Sequence, residues 1–393
     1  MNQVRKNIAL LATCQALLQT NNATVIALNG LVGYALARDK ALATLPVTAW
    51  AVGAALTTYA ASSLMKRLGR RAGFTLGASI GIVGAAICSA AIGFGGFALF
   101  CVGALVLGVY NAFGQYYRFA AADSVPADLR SRAISYVLVG GLVGGIVGPT
   151  LSRLTRTVLP IDFLGAYLVL ILFMLAAIAV LRGLDIPAPT TAQAHAPGRP
   201  LAVIARQPAF IVAVLAAALG YGVMNFLMTA TPLAMGMCGH PYGAAASAIS
   251  LHVIGMYGPS FFTGSLIRRF GVLRVMGAGV VLNLGCVAIA LAGVDVANFW
   301  AALILLGVGW NFLYIGGTTL LTEVYRPEER SKVQGLNDSV IFITTASSSF
   351  LSGVMLKSGG WALLNHLALL AVAAVAAALL WLVVQRRGAA GAG

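Results

Sequence analysis

Ser62-Ser63-Leu64-Met65-Lys66-Arg67-Leu68-Gly69-Arg70-Arg71 lies between two apolar runs, and Gly264-Ser265-Leu266-Ile267-Arg268-Arg269-Phe270-Gly271 lies between two others. The two stretches share a pattern of small residues, an apolar pair, two cations, an apolar residue and a glycine. The correspondence extends downstream: Asn111, Asp123, Arg130 and Ser131 return 200 positions later as Asn311, Glu323, Arg330 and Ser331. A sequence repeated once in the same orientation, in a chain of apolar segments, predicts two homologous membrane halves. Parallel repeats of this kind are one architecture of secondary transporters.

Composition agrees. Of 393 residues, 60% are hydrophobic and only 9% charged, against about a quarter charged in a soluble protein. The charges form short islands between apolar runs of roughly 20 residues, each long enough to span a bilayer as a helix. Twelve such runs are read, at about 8–32, 43–64, 72–94, 97–122, 133–151, 163–181, 208–232, 244–266, 272–293, 298–322, 335–356 and 361–384. The predicted class is therefore an all-α polytopic membrane protein: twelve transmembrane helices in two pseudo-symmetric six-helix bundles.

The net charge of +15 follows from topology. With the N-terminus inside, 19 of the 25 Lys and Arg fall on the cytoplasmic side, as the positive-inside rule requires. The expectation is a cytoplasmic (inner) membrane protein with both termini cytoplasmic, and no nucleic-acid partner. Arg5 and Lys6 precede the first run as they would in a signal peptide. That run is too long and lacks a small-residue cleavage site, so it reads as the first membrane helix. Cys14, Cys88, Cys101 and Cys286 fall within runs and Cys238 in an outer loop, with no metal-ligand spacing or disulfide pair visible. No metal and no cofactor is expected.

The longest polar segment, Arg182 to Pro208, is rich in Pro, Ala and Thr and reads as a cytoplasmic linker (183–207) between halves at 1–182 and 208–393. The third, sixth, ninth and twelfth runs are almost purely apolar. The first, fourth, seventh, eighth, tenth and eleventh carry amides, hydroxyls or charges. A polar side chain in lipid is costly, so these helices face a cavity or one another. Their polar residues also share faces. Gln15, Gln19, Asn22 and Asn29 follow a helical spacing in the first run, Asn111, Gln115 and Arg118 in the fourth, and Asn311, Tyr314, Thr318 and Thr322 in the tenth. Tyr221 and Asn225 lie four apart in the seventh. Helix–helix hydrogen bonding is the plain explanation for any one of them. A shared cavity at the repeat interface explains better why equivalent helices of both repeats have the property.

With these residues in place, the chain resembles the major facilitator superfamily over nearly its whole length. The loop with Lys66, Arg67, Gly69, Arg70 and Arg71 looks like that family's loop 2–3 signature, and the stretch with Arg268, Arg269 and Gly271 like its second copy. Gly144-Gly-Ile-Val-Gly148-Pro149 is similar to the Gly-x-x-x-Gly-Pro element associated with drug and metabolite exporters. The turns with Arg130 and Arg330 resemble the basic turns after the family's fourth and tenth helices. Two departures stand out. Lys66 and Arg268 occupy the acidic position of the loop signature, and the fourth-helix arginine expected near Ala104 is absent. In physical terms, Gly144 and Gly148 allow a neighbouring helix to approach closely and Pro149 permits a bend. The loop cations can bond helix C-terminal carbonyls or the acids Asp123 and Glu323.

The candidate cavity residues are Gln19, Asn22, Asn111, Gln115, Arg118, Asn225, Trp310, Asn311 and Tyr314. Arg118 is the one cation placed within a run beyond its first few residues. It suits an anionic substrate group through its planar fork, and equally a snorkelling cation or a partner of Asp123. Two titratable groups are candidates for proton coupling: His252, midway along the eighth run, and Asp338, the one acid plausibly within a span. The plain alternatives are a neutral hydrogen-bonded histidine and an inner-gate salt bridge to Lys332 or a loop arginine. The other acids, Glu328 and Glu329 among them, read as loop residues or, for Asp123 and Glu323, as helix ends. Tyr110, Phe113, Tyr221, Phe226, Tyr257, Trp310 and Tyr314 lie near the same stripes, and amphipathic rings beside amides suit a planar or ring-containing solute.

The expected function is secondary transport of a small organic solute by alternating access, with efflux of a drug or metabolite as the first reading. The alternative is uptake or facilitated movement of a metabolite or vitamin such as a flavin, because the acids that serve proton antiport are sparse. A non-transporting receptor or scaffold gains little from polar stripes. An enzyme is disfavoured because no nucleophile–base pair, metal cluster or phosphate loop is visible. The partners implied are the solute, the lipid bilayer and protons if transport is coupled, with a monomeric carrier.

Overall fold

The computed structural model describes residues 2–39, 42, 45–186 and 198–391. Residues 187–197 of the expected linker lie outside that set. The described residues are helical almost throughout. The helices are α1 (Asn2–Leu36), α2 (Leu45–Leu68), α3 (Arg70–Phe94), α4 (Phe97–Gly114), α5 (Tyr117–Asp123), α6 (Arg130–Thr155) and α7 (Leu164–Leu181), then the short α8 (Leu201–Ala205). They continue with α9 (Pro208–Met237), α10 (Tyr242–Tyr257), α11 (Ser260–Phe270), α12 (Val272–Ala292), α13 (Val296–Leu321) and α14 (Arg330–Gly391). Among the described residues, eight helical segments are long and apolar enough to cross a membrane.

These helices account for the twelve apolar runs with three refinements. The fourth run is α4 and α5, broken at Gln115 and Tyr116. The eighth is α10 and α11, broken at Gly258-Pro259, where proline removes a backbone donor. The eleventh and twelfth are the two parts of α14, separated at Gly360, whose φ of 67° and ψ of −167° are not helical.

The quoted repeat is a one-residue corner. Gly69 alone separates α2 from α3, at φ 84° and ψ 164°. Gly271 alone separates α11 from α12, at φ 87° and ψ 152°. That region of backbone space is open essentially to glycine alone, and another residue there costs about 1–3 kcal/mol. Lys66 and Arg67 end α2 and Arg268 and Arg269 end α11, cations at helix C-termini where the macrodipole favours them. The repeat returns in the turns as well: 3₁₀ turns at Ala127–Leu129 and Pro327–Glu329 lead into helices that begin at Arg130 and Arg330.

Contacts divide the chain into two compact units. Unit 1 comprises Met1–Val125, Tyr136–Pro197 and Arg330–Ser339, and unit 2 comprises Pro126–Ser135, Gly198–Glu329 and Val340–Gly393. Within unit 1, glycines bring backbones together. A Cβ on Gly53 or Gly108 would meet the main chain of the facing helix in the α2–α4 pair, and one on Gly84 or Gly103 would do so between α3 and α4. Gly140, Gly144 and Gly148 of α6 lie against Ala12, Ala16, Thr20 and Ala23 of α1, and Thr24 donates to the Gly148 carbonyl at 3.1 Å. In unit 2, Gly307 of α13 packs on α10 at His252 and Met256, and Gly309 packs on Asn283 of α12.

The first turns of α14 belong to unit 1 and the first turns of α6 to unit 2, and matching contacts hold them. Ser62 donates to the Ser331 carbonyl at 2.8 Å. In unit 2, Ser131 donates to the Gly264 carbonyl at 3.0 Å, and the Gly264 amide donates to Ser135 Oγ at 2.8 Å. A Cβ on Gly264 would collide with the backbone of Ser131 and Arg132. Arg130 Nη1 bonds the Thr322 carbonyl, at the C-terminal cap of α13, at 3.0 Å, the helix-end role foreseen for the loop cations.

Candidate functional site

Unit 1 contains a continuous ladder of polar side chains. Asn22 and Gln19, three apart on α1, are joined at 3.0 Å. Asn22 Nδ2 donates to Asn111 Oδ1 on α4 at 2.8 Å. The same oxygen accepts from Gln115 Nε2, one turn further on, at 3.1 Å. Gln115 sits at the break between α4 and α5, where its main-chain carbonyl accepts Arg118 Nη1 at 2.6 Å and its side-chain oxygen accepts the same nitrogen at 3.3 Å. Arg118 Nη2 donates to Asp338 Oδ1 at 2.5 Å, and Asn337 Nδ2 donates to that oxygen at 2.8 Å. The stripe spacing thus joins Gln19, Asn22, Asn111, Gln115 and Arg118 in one network and adds Asp338.

Arg118 and Asp338 are each 2% exposed, and the guanidinium also lies 4.4 Å from the Phe119 ring centroid. Of the alternatives the sequence left open, Asp338 takes the salt bridge, and its partner in that pair is Arg118. Asp123 is occupied by Arg70 at 3.0 Å and Arg330 at 3.3 Å. Arg70 also donates to Gln334 Oε1 at 2.7 Å. Buried charges require a partner at contact distance, and each pairs with the opposite charge that packing brings nearest.

Unit 2 holds an aromatic cluster. Trp310 and Tyr314, four apart on α13, stack with centroids 4.8 Å apart and planes at 17°. Tyr221 of α9 meets Trp310 and Tyr314 edge-on at 5.3 and 5.4 Å, and Tyr257 of α10 meets Trp310 at 5.7 Å. Such offset and edge-to-face geometry is favoured by the ring quadrupoles. Trp310 Nε1 is buried and has no hydrogen-bond partner among the described residues.

The remaining candidates are held by hydrogen bonds to other elements. Asn225 donates to the Thr345 carbonyl and Ser348 Oγ of α14 at 3.0 and 3.2 Å. Asn311 is fully buried. It donates to the Met256 carbonyl at 2.6 Å and Ser260 Oγ at 2.7 Å, and accepts from Thr263 at 2.7 Å. Its whole amide is committed to the α10–α11 break, a different task from that of Asn111 in the first repeat. His252 is fully buried, with Nδ1 2.8 Å from the Leu303 carbonyl on α13. Lys66 is half-buried, and Arg67, Arg71, Arg268 and Arg269 are exposed.

Sequence reasoning missed one site altogether. Glu329, read as a loop acid, is fully buried. It accepts the Arg199 amide at 2.8 Å, Arg199 Nε at 2.7 Å and Nη2 at 2.6 Å, and the Arg326 amide at 3.0 Å. Hydrogen bonding to this carboxylate raises the Arg199 guanidinium above its ordinary value. Nothing in the sequence separates Glu329 from its neighbour Glu328, because the choice depends on which residue of the 3₁₀ turn faces inward. Among the described residues no group of three or more His, Cys, Asp or Glu is placed to hold a metal.

The sequence model of the Major Facilitator Superfamily matches residues 9–259 and 237–392. The chain belongs to the Major Facilitator Superfamily. It is 45% identical over 375 residues to the riboflavin transporter RfnT of Brucella anthropi, covering 94% of both chains. Its fold is similar to that of the fucose:proton symporter FucP of E. coli, with a TM-score of 0.75 at 17% identity over 96% of this chain and 98% of that one. It is also similar to the human organic anion transporter MFSD10, with a TM-score of 0.77 at 14% identity over 96% and 99%. The Major Facilitator fold accounts for the all-helical architecture and its repeat. The protein is a multi-pass membrane carrier and not an enzyme.

Proposed function

We propose that this Major Facilitator protein carries riboflavin, or a close flavin relative, into the cell. The observation that carries the reading is the 45% identity, over 94% of both chains, to a protein named as a riboflavin transporter. Tyr221, the half-buried ring of the aromatic cluster, supports it, because an extended planar ring system binds well against an aromatic surface. Efflux of a drug, the first expectation, rested on Gly144, Gly148 and Pro149. Close packing of α6 on α1 accounts for both glycines without an exporter.

Within this reading the two halves, 1–182 and 208–393, work by alternating access as a monomer in the cytoplasmic membrane, with both termini inside. If accumulation is driven by protons, Asp338 is the favoured coupling group. Its partner Arg118 belongs to the ladder that reaches the candidate substrate amides, whereas among the described residues His252 is bonded to the Leu303 carbonyl alone.

The test is growth and uptake. A riboflavin auxotroph expressing the chain should grow on low external riboflavin and take up labelled riboflavin saturably, in competition with unlabelled flavin. Absence of uptake, with the protein present in the membrane fraction, would remove the flavin assignment.

A further inference from the structure

We propose that Asn225 reads the substrate: its side-chain oxygen accepts the ring N–H of a planar imide, such as the pyrimidine edge of a flavin, lying against Tyr221. The inference rests on the flavin reading above and goes beyond it by naming the residue, the atom and the edge of the ring.

The orientation of the Asn225 amide is fixed by its neighbours on α14. Nδ2 donates to the Thr345 carbonyl at 3.0 Å and to Ser348 Oγ at 3.2 Å. The Ser348 hydroxyl hydrogen is itself committed to the Thr345 carbonyl at 2.9 Å. Both neighbours therefore offer Asn225 only lone pairs, and a turned-over amide would set Oδ1 against them with no donor between. Glycine at 222 lets α14 approach α9 for these bonds, since a Cβ there would lie 2.8 Å from Thr344 Cγ2.

Nδ2 is thus used on α14 and Oδ1 is left over. It has no donor among the described residues. Asn225 is half-buried, and this oxygen is not sealed in, in contrast to Trp310 Nε1. A ligand N–H requires just such an accessible acceptor, held in one orientation.

Tyr221 supplies the adjoining surface. It lies one turn before Asn225 on α9, so the two side chains share a face. It is half-buried, and its ring is braced edge-on by Trp310 at 5.3 Å and Tyr314 at 5.4 Å. A flat ring against Tyr221 brings its edge to Asn225. The tricyclic ring of riboflavin has a single N–H, at N3 between two carbonyls, and its other edge heteroatoms are acceptors. Facing acceptors repel, so Oδ1 selects the N3 position. A site built to receive an N–H rejects an analogue that lacks it, because its own acceptor is then left unpaired.

The experiment compares riboflavin with N3-methylriboflavin, which removes that N–H and keeps the ring and the ribityl chain. The full-length protein is reconstituted in proteoliposomes, and the KM of each flavin is measured for wild type, Asn225→Leu, Asn225→Ala and Ser348→Ala. Wild type should favour riboflavin by about tenfold, the worth of one hydrogen bond whose loss strands its acceptor. Asn225→Leu should raise the riboflavin KM by a similar factor, leave that of the methylated flavin little changed, and so bring the ratio close to one. Asn225→Ala removes the same oxygen in less volume and is the readout if Asn225→Leu does not reach the membrane. Ser348→Ala loosens the tie to α14 and keeps Oδ1, so its ratio should stay near the wild-type value.

A purely structural role for Asn225 would raise both KM values in Asn225→Leu and leave the ratio unchanged. A purely steric role would lower the KM of the methylated flavin alone. Either result, or a wild type indifferent to the methyl group, overturns the inference about Asn225 and leaves the flavin assignment standing. A wild type that moves neither flavin overturns the assignment itself and this inference with it.

Discussion

Arg118 and Asp338 show what a single buried pair does in this chain. Taking two charges out of water is expensive. The cost is met here by the direct contact at 2.5 Å together with the Gln115 carbonyl and the Asn337 amide. Removing one partner leaves an uncompensated charge, so Asp338→Asn should cost about 3–5 kcal/mol of stability. The paired neutral variant Arg118→Gln/Asp338→Asn should cost much less, read as the melting temperature in detergent. Additive losses would show that the two side chains are not energetically coupled. In proteoliposomes the paired variant should still exchange labelled flavin but fail to accumulate it, because exchange needs only the loaded carrier to reorient. The individual polar residues were legible from helical spacing. The partnership was not, because 220 positions separate Arg118 from Asp338.

At the scale of helices, small residues decide which elements touch. The α1–α6 contact depends on Gly144, where an added Cβ would press on the Thr20 amide, the Ala16 carbonyl and Gln19 Cβ. Backbone atoms cannot move aside alone, so Gly144→Ala should destabilise by about 1–3 kcal/mol. Gly93 is the contrast. It is also helical, but nothing lies within 4 Å of its would-be Cβ, so Gly93→Ala should be neutral or slightly stabilising through helix propensity. Thermal unfolding of the two variants side by side checks the pair, and equal effects would refute the packing account. Position in the repeat does not fix a side chain's task. Asn111 and Asn311 correspond in sequence, yet one joins the polar ladder and the other fastens the α10–α11 break. The break itself, with Pro259 as its signal, is what claims Asn311.

For the molecule as a whole, the distribution of cations predicts cytoplasmic termini and places the turn after α9 outside. Cys238 in that turn is exposed, Cys14, Cys88 and Cys286 are buried, and Cys101 is half-buried. A membrane-impermeant maleimide applied to intact cells should therefore modify Cys238, and Cys238→Ser should abolish the labelling. Labelling that requires permeabilised cells would reverse the proposed orientation.

The sequence by itself determined the helical class, the direct repeat, and the short basic connections that carry Gly69 and Gly271. It also placed the polar residues on shared helical faces. These are local or periodic properties: spans are set by apolar length and faces by the 3.6-residue turn. Only the tertiary structure decided which charges pair. Asp338 was available to Lys332 or a loop arginine as readily as to Arg118. Glu329 became the buried acid and Glu328 did not, and Asp123 came to hold both Arg70 and Arg330. Such choices depend on desolvation and sub-ångström approach between helices distant in sequence, and no spacing along the chain encodes them.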